Sequence, residues 1–325
     1  MRPLAALFTA LLATGLSAAP ARAQEAAAWP NQAIRMIVPF PAGGPADIVA
    51  RMVSERMAQA FGQPIIIENK PGANTAIAAG QVAKAPANGY TLLVVMDVTM
   101  VLNPLTSKNL SYDPVRDFDP ISLLSKNTSL LTVHADGPKT LAELIALGRA
   151  NPGKLNFGAG IITTRLAAEL FNKETGIVAQ FVPFQGSPPT VQALLSKSVD
   201  YIVDGQAASL PMIQAGTFRA LAKTNEGPVP ALPHLRSLAV EAGSSALNDV
   251  STWIGVVAPA GTPRAIIDKV SGEIAKIYAD PAMMERLQKA GINAVSSTPE
   301  ELARFIQTEG VRWGKVVKDS GIELN

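Results

Sequence analysis

Ten residues, Val38-Pro39-Phe40-Pro41-Ala42-Gly43-Gly44-Pro45-Ala46-Asp47, join a bare Gly-Gly loop to the start of a helix. Pro45 suits the first helical position, where its missing N–H would have no partner. Gly44 then falls at the N-cap and Asp47 at the third helical position, where a carboxylate suits the positive end of the helix dipole. Gly43 and Gly44 carry no side chains, so a ligand can approach the backbone closely. A short strand, two glycines and free helix N–H groups together make a cradle for an anion. An ordinary strand-to-helix turn uses the same residues, and both readings stand on these ten alone.

Two further stretches repeat the pattern. Phe157-Gly158-Ala159-Gly160-Ile161-Ile162-Thr163-Thr164-Arg165 runs from a strand through glycines into a helix, with Thr163 or Thr164 as its cap. Arg165 is unusual there, because a cation in the first turn opposes the helix dipole. It calls for an anion or a nearby carboxylate; a solvent-facing Arg is the alternative. Phe184-Gln185-Gly186-Ser187-Pro188-Pro189-Thr190 offers Ser187 as a cap with Pro188 at the first helical position. Asp97 and Asp204 follow strands predicted at 91–95 and 199–203. Ligands of α/β sheets bind at the carboxyl ends of strands, although an Asp there also serves as a plain turn former.

Catalytic chemistry finds little support. The chain has two histidines, His134 and His234, neither near an obvious nucleophile, and it has no cysteine. Thiol nucleophiles, disulfides and thiolate metal sites are therefore excluded. The patterns G-x-S-x-G and G-x-x-x-x-G-K-[ST] are absent, and no cofactor or metal motif is seen. Binding, by contrast, needs only what is present. A charge-assisted hydrogen bond contributes roughly 1.5–3 kcal/mol, and micromolar affinity needs about 8 kcal/mol. A few such bonds from three loops supply that, after the entropic cost of association.

The elements that must position these loops read as α/β. Strands are predicted at 35–38, 65–68, 91–95, 130–133, 155–158, 199–203, 220–223 and 254–258, with amphipathic helices between them. The C-terminal part is helical: Thr262-Pro263 opens one helix, and Thr298-Pro299-Glu300-Glu301 is a capping box opening another. Arg2, an apolar stretch from Leu4 to Leu16 and Ala21-Arg22-Ala23 form a secretory signal over 1–23, with cleavage expected after Ala23. Arg2 and Arg22 are two of the 28 basic residues, so the remainder balances 26 bases against 26 acids. No basic run or aromatic-basic interleaving points to nucleic acid. About 300 residues after a signal make two domains rather than one core. The loop-like stretch 106–120 and the Pro-rich 227–233 suggest a second domain inserted in the first: 30–129 plus 252–325, and 130–251 between them.

The chain resembles the periplasmic substrate-binding proteins of the tripartite tricarboxylate transporters, the Bug family. The segment Pro39 to Asp47 is similar to that family's Pro-Phe-x-x-Gly-Gly-x-x-Asp. Further similar segments are Glu68-Asn69-Lys70-Pro71-Gly72-Ala73, Asn88-Gly89-Tyr90-Thr91-Leu92-Leu93, Tyr112-Asp113-Pro114-Val115-Arg116-Asp117-Phe118 and Ala258-Pro259-Ala260-Gly261-Thr262-Pro263. The resemblance implies a two-lobed "Venus flytrap", each lobe a mostly parallel sheet layered with helices. It also implies a monomeric receptor that passes a mono- or dicarboxylate, aliphatic or aromatic, to integral-membrane permease subunits. By likeness the ligand lies between the loop Phe40, Pro41, Ala42, Gly43, Gly44 and Asp47 and the loops Gly158, Ala159, Thr163, Thr164 and Gln185, Gly186, Ser187, with Asp204 close by. Asp47 is associated in that family with ordered water beside the ligand. Two departures stand out: Arg165 replaces a histidine, and Asp97 replaces a small polar residue. They imply an altered ligand, with Arg165 favouring a second carboxylate or an aromatic acid and Asp97 a cationic or hydroxyl group. A sensor subunit using the same binding, and an exported hydrolase or isomerase of small acids, are the alternative functions.

Overall fold

Alternating β-rich runs and amphipathic stretches form two five-stranded sheets. The computed structural model describes residues 29–320 apart from 245, 246, 248 and 249, so the signal expected at 1–23 lies outside the described residues. The strands are β1 (Ile34–Val38), β2 (Ile65–Asn69), β3 (Thr91–Met96), β4 (Phe118–Asn127), β5 (Ser129–His134), β6 (Leu155–Ala159), β7 (Ala179–Pro183), β8 (Tyr201–Gly205), β9 (Phe218–Lys223) and β10 (Thr252–Pro259). One sheet has the order β2-β1-β3-β10-β4 and the other β7-β6-β8-β5-β9.

Each sheet contains one reversed strand. β1 is parallel to β2 and β3, whereas β10 is antiparallel to β3 and β4. Likewise β6 is parallel to β7 and β8, whereas β5 is antiparallel to β8 and β9. The reversed strand is in both cases the one that enters from the other sheet, β5 after β4 and β10 after β9. A chain that leaves one sheet at the carboxyl end of its parallel strands enters the next running away from the same boundary. The carboxyl ends of the parallel strands of both lobes therefore face each other, which is where α/β sheets bind ligands.

The eight strands read from the sequence are present, with no end moved by more than two residues. Two more, β4 and β7, carry no clear signal. In β4 the apolar run is buried on both sides and contains Pro120, which lies where the register with β10 shifts. A proline is tolerated in a strand at such a bulge. The strand expected at 199–203 begins two residues later, so Asp204 lies inside β8 rather than after it.

Helices layer both sheets: α1 (Pro45–Phe61), α2 (Ala76–Val82), α3 (Asn103–Thr106), α4 (Leu141–Ala150), α5 (Ile162–Thr175), α6 (Ser187–Leu195), α7 (Gln206–Gln214), α8 (Leu238–Ala242), α9 (Arg264–Ala279), α10 (Pro281–Lys289) and α11 (Pro299–Ser320). The buried face of α9, with Ile266, Ile267, Val270, Ile274 and Ile277, packs in the same cluster as Val49 and Val53 of α1. Thr298 and Glu301 form the reciprocal capping box at the start of α11, whose Trp313 is fully buried.

The two crossings between the sheets are tied together. Thr128 alone separates β4 from β5, and the return runs through 224–251. The Thr128 hydroxyl donates to Asn225 Oδ1 at 2.9 Å, and the Gly227 N–H donates to the same oxygen at 2.7 Å. Ser129 and Thr224 bond reciprocally, through Ser129 N–H to Thr224 Oγ1 and Thr224 N–H to the Ser129 carbonyl. Thr128 and Asn225 are buried, so deleting the shared acceptor strands two donors. We expect Asn225→Ala to lower unfolding free energy by about 1–3 kcal/mol, read from the urea midpoint.

Candidate functional site

The loop entering α1 is held in shape by Asp47. The Gly43 N–H donates to Asp47 Oδ2 at 2.9 Å, and Asn69 Nδ2 donates to Oδ1 at 2.8 Å. Arg51, one helical turn on, reaches both oxygens at 2.9 Å. Asn69 also donates to the Phe40 carbonyl at 3.0 Å, so one carboxylate and one amide fix both ends of the loop. Burial works against the charge on Asp47, but the bonds from Arg51, Gly43 and Asn69 hold its carboxyl below the usual range. Gly43 turns with φ of +83°, a conformation that favours glycine. Gly44 is the N-cap, Pro45 the first helical residue and Asp47 the third.

The facing loops come from the second sheet. α5 starts at Ile162 with Ile161 as N-cap, so neither Thr163 nor Thr164 caps it. The Thr164 hydroxyl donates back to the Ile161 carbonyl at 3.1 Å. α6 starts at Ser187 with Gly186 as N-cap at φ of +89°, which places Pro188 second rather than first. Ser187, instead of capping, donates to Asp204 Oδ1 at 2.6 Å. The two loops touch: the Gly186 N–H donates to the Gly160 carbonyl at 2.9 Å, and a Cβ on Gly160 would lie 2.5 Å from the Gly186 backbone.

Across the lobe boundary glycine meets proline. A Cβ on Gly186 would lie 3.0 Å from Pro41, one on Gly205 3.1 Å from Pro45, and one on Gly44 3.7 Å from Pro188. Between them lies a cavity of about 560 Å³, counting its open mouth. The starts of α1, α5, α6 and α7 border it through Pro45, Thr164, Ser187 and Gln206. The first N–H groups of a helix have no intrahelical acceptor and carry the positive end of the dipole. No Lys, Arg or His is among the described residues that line the cavity. A second recess continues past Phe40, Pro41 and Gly186 to Gln185 and residues 71–75. In that recess Ala73, Asn74 and Thr75 all have positive φ, between 45° and 76°, at a cost of order 1–3 kcal/mol each. Asn103 holds this turn by donating to the Asn74 carbonyl at 2.7 Å, and Thr75 donates to Thr99 Oγ1 at 2.9 Å.

Of the residues singled out in the sequence, Phe40, Pro41, Gly44, Thr164, Gly186, Ser187 and Asp204 line the main cavity, and Gln185 the recess. Ala42 and Gly43 form the exposed crest of the first loop. Gly158 lies beneath Phe184, whose ring leaves no room for a Cβ, and the Ala159 carbonyl accepts from the Phe184 N–H. None of these four lines the cavity or the recess, and neither do Asp47, Asp97, Thr163 and Arg165. Asp97 and Thr163 meet each other across the boundary, the hydroxyl donating to Asp97 Oδ2. Arg165 pairs with Glu169 at 2.6 Å and lies over the Phe181 ring at 4.5 Å. Asn127, Ser129, Gln206 and Gly291 also line the cavity and were not singled out. Gln206 lay two residues beyond Asp204 and was within reach of the strand-end argument. Nothing local marks Asn127 or Gly291.

Residues 49–322 match the family described as "Tripartite tricarboxylate transporter family receptor". The chain is 31% identical over 334 residues to the protein BugT of Bordetella pertussis, covering 100% of this chain and 99% of that protein. An R. palustris protein solved with adipate superposes with a TM-score of 0.87 at 33% identity, covering 90% of this chain and 99% of that one. MatC of Rhodopseudomonas palustris, solved with bound malate, gives 0.80 at 31%, covering 89% and 100%.

Asp97 gives the fold a pH signature. Burial pushes its carboxyl up to about 7, with the charge of Glu309 adding to the effect and the Thr163 bond opposing it. The folded state thus keeps a proton that the unfolded chain releases near pH 4, and stability falls as pH rises from about 4 to about 7. Asn in its place still accepts from Thr163 and does not ionise. Melting curves of Asp97→Asn should therefore fall less steeply than those of the parent across that window.

Proposed function

The chain belongs to the tripartite tricarboxylate transporter receptor family, and from that premise we propose that it is a periplasmic solute-binding protein. It captures a small organic carboxylate between its lobes and delivers it to membrane permease subunits. Its domains are 30–129 with 252–325, and 130–251, which act as the two jaws. The observation that carries this reading is the convergence of the starts of α1 and α5 on one cavity at the strand ends of both sheets; Pro188 and Pro189 leave α6 fewer N–H groups, and the Gln206 N–H of α7 donates to the Thr128 carbonyl. Backbone N–H groups at such ends hold an anion without a fixed counter-charge. That suits a receptor, which must release its ligand. The adipate and malate of the two similar structures support an acid as the ligand. Export follows from the signal expected at 1–23.

A thermal-shift screen of mono- and dicarboxylates, aliphatic and aromatic, tests the reading. At a hundredfold excess over Kd a ligand adds about 2.7 kcal/mol, a rise on the order of 5 °C. We expect at least one acid to produce it, and Gly160→Ala to abolish or weaken the rise by displacing the Gly186 loop. No shift with any acid, or conversion of a bound acid to product, defeats the proposal.

A further inference from the structure

Three side chains of the cavity wall carry a buried polar atom with no partner among the described residues: Ser129 Oγ, Asp204 Oδ2 and Gln206 Oε1. Each residue is 3% exposed or less. They lie close in the fold, because Leu130 pairs with Asp204 and Ser129 with Gly205 where β5 meets β8. Buried polar atoms in folded proteins nearly always have a partner, and such an atom in a cavity wall is available to a ligand or a water.

The orientations of two are fixed by their neighbours. Ser187 donates to Asp204 Oδ1, leaving Oδ2 as the carboxyl oxygen without a partner. Gln206 Nε2 donates to Asn293 Oδ1 at 3.1 Å, and that oxygen is identified because Asn293 Nδ2 donates to the Pro228 carbonyl at 3.1 Å. The unpartnered atom of Gln206, a residue of the cavity wall, is therefore its carbonyl oxygen. A carboxylate oxygen and an amide oxygen are acceptors, and the Ser129 hydroxyl can join either kind of bond.

With Asp204 ionised, this wall is the wrong partner for a carboxylate and the right one for a donor. We infer that the cavity is divided: helix starts take the ligand's carboxylate, while Asp204, Gln206 and Ser129 take a hydrogen-bond donor on its carbon chain, a hydroxyl or an ammonium. The ligand class is thus a hydroxy or amino acid rather than an unsubstituted one, an inference that rests on the carboxylate reading of the cavity. Burial pushes the Asp204 carboxyl up to about 7, with Ser187 and the Gly205 N–H only partly opposing it; a ligand donor supplies what that carboxylate lacks. A site with buried acceptors rejects an analogue that leaves them bare more strongly than an apolar pocket rejects a missing methylene.

Calorimetric titration with matched pairs tests this: two- to six-carbon mono- and dicarboxylic acids, each with and without a hydroxyl or amino group. At the chain length that binds best, the substituted acid should bind at least about tenfold tighter than its partner. Asp204→Asn, which turns an acceptor into a donor, should collapse that ratio. Gln206→Met and Ser129→Ala should lower the ratio as well, and they serve if Asp204→Asn does not fold. Matched pairs that bind equally, or a ratio that survives in all folded variants, overturn the inference while the carboxylate reading stands. Failure of every acid to bind overturns both.

Discussion

The site depends on how closely two backbones approach. Gly186 lies against Pro41 and Gly205 against Pro45, so each contact sets a residue without a side chain against a rigid ring. Glycine permits the approach, and proline, with its fixed φ, gives a firm surface to approach. Because Pro45 and Pro188 also stand in the first turns of helices, the packing that joins the lobes brings helix N-termini to the same place. Inside the second lobe Gly160 and Gly186 repeat the constraint, with no space for a methyl group between them.

Three buried aspartates show how one residue type takes three roles from its surroundings. Asp47 receives bonds from a backbone N–H, an amide and a guanidinium, and its charge organises the first loop. Asp97 has the Thr163 hydroxyl of the other lobe against it and Glu309 raising its affinity for a proton. Asp204 has Ser187 on one oxygen and no partner among the described residues on the other. Burial opposes ionisation in all three, and the number and charge of the donors decide the outcome. Only at Asp47 does a cation help to offset the desolvation.

Much of this was legible because helix starts and strand patterns are local. Gly44, Pro45 and Asp47 occupy the positions that their types prefer, since capping depends on three or four neighbouring residues. The caps proposed for α5 and α6 were displaced by a residue or more for a tertiary reason. Thr163 and Ser187 have acceptors in distant elements, Asp97 and Asp204, and a hydroxyl that bonds there does not bond to its own helix. Strand β4 was hidden because burial on both faces removes the alternation by which a strand is recognised. Arg165 did find a carboxylate, but on its own helix at Glu169.

By itself the sequence determined the α/β order, the glycines and prolines that open the loops, and the family likeness, all of which are written in short spans of chain. The tertiary structure alone decided which helix starts share a cavity and which polar atoms in its wall lack a partner. Those facts join residues far apart: Asp97 with Thr163, 66 positions away, and Gln206 with Asn293, 87 away. A carboxyl group can be read from the sequence, but its charge and its partner are set by the burial and donors that only the folded chain supplies.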